Sequence, residues 1–252
     1  MCVIIYKPSK ANITKEVLRD CWADNPDSGG FMLADNGKLS IVKGFMAFKK
    51  FYKQYRKYEN KYPNSNFVIH FRIATHGNID NSNCHPFYVS KNIGFAHNGV
   101  LSCMDVLPKS DKSDTKLFCE EVLKKLPSGF LNKKEYQIIL ESMAKNEYSK
   151  FAFLTNDGIC HIFNESAGLW RNGCWFSNGY SVLHTTQQKQ MDTAKTTYQR
   201  DIVSVDGEQW YECLYCGDYL PESEMAEESG TYICSVCLEE AENDNRAYRR
   251  FW

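Results

Sequence analysis

An antiparallel α+β domain followed by a small cysteine-knuckle domain is the fold class this sequence predicts. Three observations predict it. Turn signals at Asp35-Asn36-Gly37 and Asn156-Asp157-Gly158 each sit between apolar runs, stretches with helical spacing lie between them, and two Cys-x-x-Cys pairs stand near the C-terminus. Hairpins mixed with helices indicate α+β rather than a doubly wound parallel sheet. Charge divides the chain as well: residues 207–252 hold eleven Asp and Glu against three Arg, a formal −8, which leaves +7 on residues 1–206. A length of 252 residues suits one sizeable domain plus a small one. With 43% hydrophobic, 24% charged and 14% aromatic residues, disorder, collagen-like repeats and a bare coiled coil are excluded.

The elements follow in order. Residues 3–6 form an apolar strand ended by Pro8. Residues 14–23 show helical spacing at Val17, Leu18 and Cys21, with Thr14 as cap. Residues 30–33 and 39–42 flank the first turn as a hairpin. A helix over 46–62 carries Phe48, Phe51, Tyr52, Tyr55, Tyr58 and Tyr62 on one face, and Pro63 stops it. Its lysine-rich face could suggest RNA, but an aromatic core stripe under a solvated basic face is the commoner arrangement. Buried strands are expected at 67–73 and 93–96, helices at 115–126 and 133–144, and a second hairpin at 151–155 and 158–163. Short strands at 169–170 and 175–177 complete the domain, and the polar stretch 187–200 reads as linker.

The longest apolar runs, such as Cys2-Val3-Ile4-Ile5-Tyr6, fall far below the ~18 residues of a membrane span. No cationic segment with a following apolar stretch opens the chain, so the expected compartment is the cytosol, that of a host if the protein is viral. Eleven cysteines, an odd number in a long chain of this kind, are then expected to be reduced.

Cys213-Leu-Tyr-Cys216, seventeen residues, then Cys234-Ser-Val-Cys237 fits a zinc ribbon. Each two-residue gap lets both thiolates of a knuckle face one ion at about 2.3 Å, and two knuckles close a tetrahedron. Four thiolates leave no open coordination position, so the expected Zn2+ is structural. The charge of −8 becomes about −10 with the metal bound, which repels phosphate and makes nucleic acid a poor partner for this end.

Cys2 follows the initiator Met, and its small side chain permits Met removal. The exposed α-amine would titrate near 7.7–8.0 against about 8.5 for a thiol, so it can serve as base to its own sulfur. Four further segments support a functional reading: Asn25-Pro26-Asp27-Ser28-Gly29-Gly30-Phe31; His70-Phe71-Arg72-Ile73-Ala74-Thr75-His76-Gly77 followed by Asn83-Cys84-His85-Pro86-Phe87; Phe95-Ala96-His97-Asn98-Gly99-Val100-Leu101; and Ser113-Asp114-Thr115 at a helix start.

In this order the segments resemble the glutaminase domain of class II glutamine amidotransferases, members of the N-terminal nucleophile hydrolases, over residues 2–185. The resemblance implies a four-layer αββα sandwich over 2–185; composition and cysteine spacing then place a linker over 186–207 and an acidic zinc ribbon with a C-terminal helix over 208–252. The resemblance further implies that Cys2 attacks the side-chain amide of L-glutamine to give a γ-glutamyl thioester, with Asn98 and Gly99 as oxyanion donors. Arg72 would grip the α-carboxylate, Asp114 would receive the α-ammonium, and Thr75, His76 and Gly77 would close over the substrate. No cofactor is required for that chemistry, and the ammonia is either released for an unidentified acceptor or passed to a separate synthase subunit. Stand-alone phage-type domains look similar. The chain departs from the family in its Cys-Val-Ile-Ile start, in Ile73 where many members have tryptophan, and in carrying a ribbon in place of a large acceptor domain. Two rivals stand beside this reading: hydrolysis of another γ-glutamyl amide or peptide, and a catalytically silent zinc-containing scaffold. His97 and His85 are expected to be structural, His161 and His184 have no ligand-like neighbours, and Cys21, Cys84, Cys103, Cys119, Cys160 and Cys174 are expected to be buried small hydrophobes.

Overall fold

A computed structural model describes residues 2–74, 77–104 and 110–179, and in the C-terminal part 203–205, 208–213, 219–228, 231–236 and 238. The first part contains β1 (Val3–Lys7), α1 (Lys15–Ala23), β2 (Ser28–Asp35), β3 (Lys38–Phe45), α2 (Phe48–Lys61), β4 (Phe67–Arg72), β5 (Phe87–Ser90) and β6 (Ile93–Asn98). It continues with α3 (Asp114–Glu121), α4 (Lys134–Asn146), β7 (Lys150–Thr155), β8 (Cys160–Phe163), β9 (Leu169–Arg171) and β10 (Cys174–Phe176). Two sheets form, one in the order β3-β2-β4-β1-β10-β9 and one in the order β5-β6-β7-β8. Every strand pair in both is antiparallel.

Period-two alternation sorts the strand residues into three cores, and the three cores make four layers. On the first sheet, Val3, Ile5, Phe31, Phe67, Ile69 and Phe71 point outward onto α1 and α2. Their sequence neighbours Ile4, Met32 and Val68 point inward and meet Ala96, Ala152 and Leu154 of the second sheet. The outer face of the second sheet, with Phe95, Phe151 and Phe153, is covered by Phe118 and Cys119 of α3 and Leu140 and Ala144 of α4. The expected αββα sandwich is therefore what the strands build. Each large apolar side chain removed from water contributes roughly 1.5–3 kcal/mol, and the outer cores are rich in phenylalanine for that reason. Between the sheets the side chains other than Trp175 are smaller, and Gly94 of β6 has no room for a Cβ against Met32, so the sheets approach closely there.

Capping explains the helix starts. Thr14 Oγ1 accepts from Val17 N–H at 3.4 Å, and Ser113 Oγ accepts from Lys116 N–H at 3.2 Å. The helix expected over 115–126 ends at Glu121 and gives way to a 3-10 turn over Leu123–Lys125. Leu126 precedes Pro127 and is extended (φ −67, ψ 148), as that proline requires. The four-residue strand β5 was not expected from the sequence, since it lies directly behind Pro86 and is too short for a periodic signal. Cys21, Cys84, Cys119 and Cys174 are buried as expected and Cys160 is half-buried, but Cys103 is exposed in the turn after β6, where no sheet or helix covers it.

In the C-terminal part, β11 (Val203–Val205), β12 (Glu208–Glu212) and β13 (Tyr219–Pro221) form an antiparallel three-stranded sheet, and β14 (Met225–Glu228) pairs with β15 (Thr231–Cys234). β11 thus lies inside the stretch read as linker. Residues 187–200, His184 and the expected C-terminal helix beyond 238 lie outside the described residues.

Candidate active site

Cys2 stands one residue before β1, and its neighbours are set by the strand register. Val3 pairs with Phe71, so Cys2 lies at the end of β4 where Arg72 is the last residue. By alternation Cys2 shares the inward face of Ile4, as Arg72 shares that of Val68. The Cys2 thiol donates to Ile73 O at 3.4 Å. Burial raises the thiol pKa above its ordinary value, and the Arg72 charge opposes that shift. The resting sulfur is therefore a protonated thiol near neutral pH, and a base is needed to make it a nucleophile.

Arg72 is 3% exposed, and its guanidinium donates to Asn78 O at 3.1 Å. The stretch after it is tied down by Asp27, whose Oδ2 accepts from Ala74 N–H at 2.7 Å while Asp27 N–H donates to Arg72 O at 3.0 Å. Gly77 has φ +73, and a Cβ on it would lie 2.7 Å from Ser113 N. Thr75 and His76 lie outside the described residues.

Asn98 is the last residue of β6 and faces inward, like Ala96 two residues before it. Its Nδ2 donates to Ser177 Oγ at 2.8 Å. Asn98 Oδ1 is buried without a partner among the described residues. An orphan of that kind costs about 1–3 kcal/mol, and a polar ligand bound beside it would recover the loss. Gly99 follows with φ +145, and a Cβ there would overlap Ser149 Oγ and lie 2.9 Å from Ser149 Cα, so no other residue fits. Asn98-Gly99 is thus a specialised turn in this fold.

That turn sits in a closed polar network. His97 Nε2 lies 3.0 Å from Ser149 Oγ, and its Nδ1 lies 2.7 Å from Thr115 Oγ1. Asp114 Oδ2 accepts from Leu101 N–H at 2.7 Å, and its Oδ1 accepts from Thr115 N–H at 2.7 Å. Asp114 therefore clamps the turn onto the start of α3; its Oδ1 also accepts from Thr115 Oγ1 at 3.3 Å, which leaves Oδ2 the oxygen with the freer acceptor position. Burial lowers the His97 pKa to about 4 and that of His70 to about 3, and holds His85 well below the usual range. All three are neutral imidazoles near pH 7. Both ring nitrogens of His97 are engaged away from Cys2, and His70 and His85 contact one another at 2.8 Å, in keeping with structural roles.

The structure thus brings together Cys2, Arg72, Asn98, Gly99, Gly77 and Asp114 at one end of the two sheets. Sequence reasoning missed Ser177, whose hydroxyl accepts from both Ile4 N–H (2.8 Å) and Asn98 Nδ2. It also missed Asn178, Ser149 and Asn78, and gave Thr115 no role beyond its place at a helix start. Short polar residues directly behind a strand, as in Phe176-Ser177-Asn178, are the one signal that could have pointed to the first two.

In the C-terminal part, Cys213 and Cys234 are both buried, and Cys234 N–H donates to Cys213 Sγ at 3.3 Å. A backbone donor aimed at sulfur stabilises a thiolate, which fits a cysteine ligand set. Cys216 and Cys237 lie outside the described residues. Among the described residues no group of three or more His, Cys, Asp or Glu is placed to hold a metal, and no helix is long and apolar enough to cross a membrane.

No curated protein matches this chain in sequence. Among solved structures, the glutamine phosphoribosylpyrophosphate (PRPP) amidotransferase from B. subtilis complexed with ADP and GMP is 15% identical with a TM-score of 0.39. That match covers 70% of this chain and 41% of the other, so the chain spans less than half of that enzyme's length. Residues 53–171, which include Arg72, Gly77, Asn98, Gly99 and Asp114, match the family of class II glutamine amidotransferases.

Proposed function

We propose that the protein is a glutamine amidotransferase of the class II type that hydrolyses the side-chain amide of glutamine through Cys2. The observation that carries the reading is the placement of a half-buried cysteine, a buried arginine and an asparagine-glycine turn at neighbouring strand ends, all facing between the sheets. The family match over 53–171 supports the same chemistry.

In this mechanism Arg72 takes the α-carboxylate of glutamine in a bidentate fork, while its anchor on Asn78 O fixes the direction of approach. Asp114 keeps lone pairs beyond those used by Leu101 and Thr115, and these receive the α-ammonium. The family resemblance assigns Thr75, His76 and Gly77 to substrate binding as well. The α-amine of a processed Cys2 removes the thiol proton, and the sulfur attacks the amide carbon. Asn98 Nδ2 and Gly99 N–H stabilise the oxyanion, each donor contributing ~2.7–4 kcal/mol in comparable sites. Collapse expels ammonia as the proton returns to it, leaving a γ-glutamyl thioester. Water then adds to that thioester, and glutamate and the free thiol are released.

Cys213, Cys216, Cys234 and Cys237 are proposed to hold a structural Zn2+ as a closed tetrahedral site, with no part in the amide chemistry. Ammonia is proposed to be released for an unidentified acceptor or passed to a separate synthase subunit in the cytosol.

The test is treatment of the intact protein with a glutamine-like diazoketone followed by peptide mapping. Labelling at Cys2 that free glutamine slows, and that Cys2→Ala abolishes, is the expected result. Labelling elsewhere, or none, would overturn the reading.

A further inference from the structure

We infer that Asn178, together with Ser177, is a positioning residue for the Cys2 nucleophile, an assignment that rests on the glutaminase reading above. The antiparallel register of β1 with β10 places Ile5 opposite Phe176 and ends there. Beyond that point backbone and side-chain donors continue the pairing. Ser177 N–H donates to Ile4 O at 2.9 Å, Ser177 Oγ accepts from Ile4 N–H at 2.8 Å, and Asn178 Nδ2 donates to Cys2 O at 2.6 Å.

These bonds extend the grip of the sheet by the residues that matter. The β1–β4 ladder starts at Val3, so it leaves Cys2 outside it. The Cys2 carbonyl is instead held by Asn178, and the Cys2 thiol by Ile73 O. A reacting sulfur must sit within a few tenths of an ångström of its attack position, and a shift of about 1 Å costs ~10²-fold in rate. Ser177 serves the second reacting element at the same time. Its hydroxyl joins the β1 backbone to Asn98 Nδ2 within one residue of chain, so nucleophile and oxyanion donor share a common anchor. Ser177 is fully buried, which makes that anchor rigid.

Neither residue touches substrate in this scheme, so their loss is expected to act on turnover rather than on binding, which Arg72 governs. The test compares Asn178→Asp, which keeps the shape and loses the donor, with Asn178→Ala, Ser177→Ala and the hydroxyl-retaining Ser177→Thr in the full chain. Readouts are kcat and KM for glutamine, melting temperature, and rates of Cys2 labelling by the diazoketone and by iodoacetamide, which does not need Arg72. Both Asn178 variants are expected to lose at least ~10-fold in kcat with KM within about twofold. Diazoketone labelling should slow in parallel, iodoacetamide labelling should stay within about twofold, and Ser177→Thr should recover most of what Ser177→Ala loses.

Unchanged kcat in both Asn178 variants would overturn the assignment while leaving the glutaminase reading intact. A rise in KM equal to the loss of kcat/KM would do the same. So would a lowered melting temperature with faster iodoacetamide labelling, which marks loss of fold rather than of position. A wild-type protein that neither hydrolyses glutamine nor takes label at Cys2 would remove the reading itself, and the assignment with it.

Discussion

The turn after β6 and the chain segment before β1 supply the two halves of the proposed site, and they are built on opposite principles. Asn98-Gly99 is enclosed by His97, Ser149, Thr115 and Asp114, a set of buried side chains that bond to one another and to the turn's own backbone. Cys2 is half-buried and lies beyond the last paired residue of β1, held by a carbonyl at its sulfur and an amide at its own carbonyl. The difference teaches where rigidity is needed. An oxyanion donor is effective when it is preorganised and does not move as charge develops. A nucleophile must shift from a thiol resting on Ile73 O to a bonded sulfur, which a saturated network would prevent.

If that contrast holds, acid should strike the network half first. His70, His85 and His97 are neutral in the fold because burial lowers their pKa values, while in the unfolded chain they titrate near 6.5. Below pH 6.5 the unfolded state binds protons that the native state refuses, so stability falls with falling pH, down to about pH 4 for His97 and about pH 3 for His70. The three shifts act in the same direction, so the loss of stability accumulates as the pH falls below 6.5. Denaturant titrations at pH 7, 6 and 5 read this directly. A flat profile across that range would mean that the imidazoles are solvated.

Removing the oxyanion donor tests function on the same side. Asn98→Ala is expected to lower kcat for glutamine by ~10²–10³-fold with little change in KM. An equal change in KM would place Asn98 in substrate binding instead. Ser149→Ala leaves one nitrogen of His97 without its partner in a buried site, and should cost about 1–3 kcal/mol of stability by chemical denaturation. The smallest effect is expected far from both halves. Lys125→Ala removes an exposed i,i+4 pair with Glu121 and should change stability by less than about 0.5 kcal/mol. A larger change there would show that surface charge, rather than buried polar order, dominates this fold.

Much of this arrangement was legible in the residues. The turn triplets placed both hairpins, Thr14 and Ser113 marked helix starts, and the aromatic spacing over Phe48–Lys61 marked the face that packs on the first sheet. Arg72, Asn98, Gly99 and Asp114 were singled out only through the family resemblance; local pattern gave no more than their places at the end of a strand or the start of a helix. Asp114 shows how far that goes. Its position was readable, whereas its bond to Leu101, thirteen residues back across a turn, was not. Ser177 and Asn178 were illegible for a similar reason, since their partners lie more than 170 residues away in sequence.

By itself the sequence determined the alternation of its strands, the starts of its helices, the cysteine knuckles of its acidic end and the glycine that follows Asn98. Those properties are local, set by side-chain period, backbone sterics and residue spacing. The tertiary structure alone decided which strand ends meet, that three histidines are held neutral, and that Ser177 joins the nucleophile strand to the oxyanion donor. Such outcomes depend on antiparallel register between distant segments and on burial, and no window of neighbouring residues contains either.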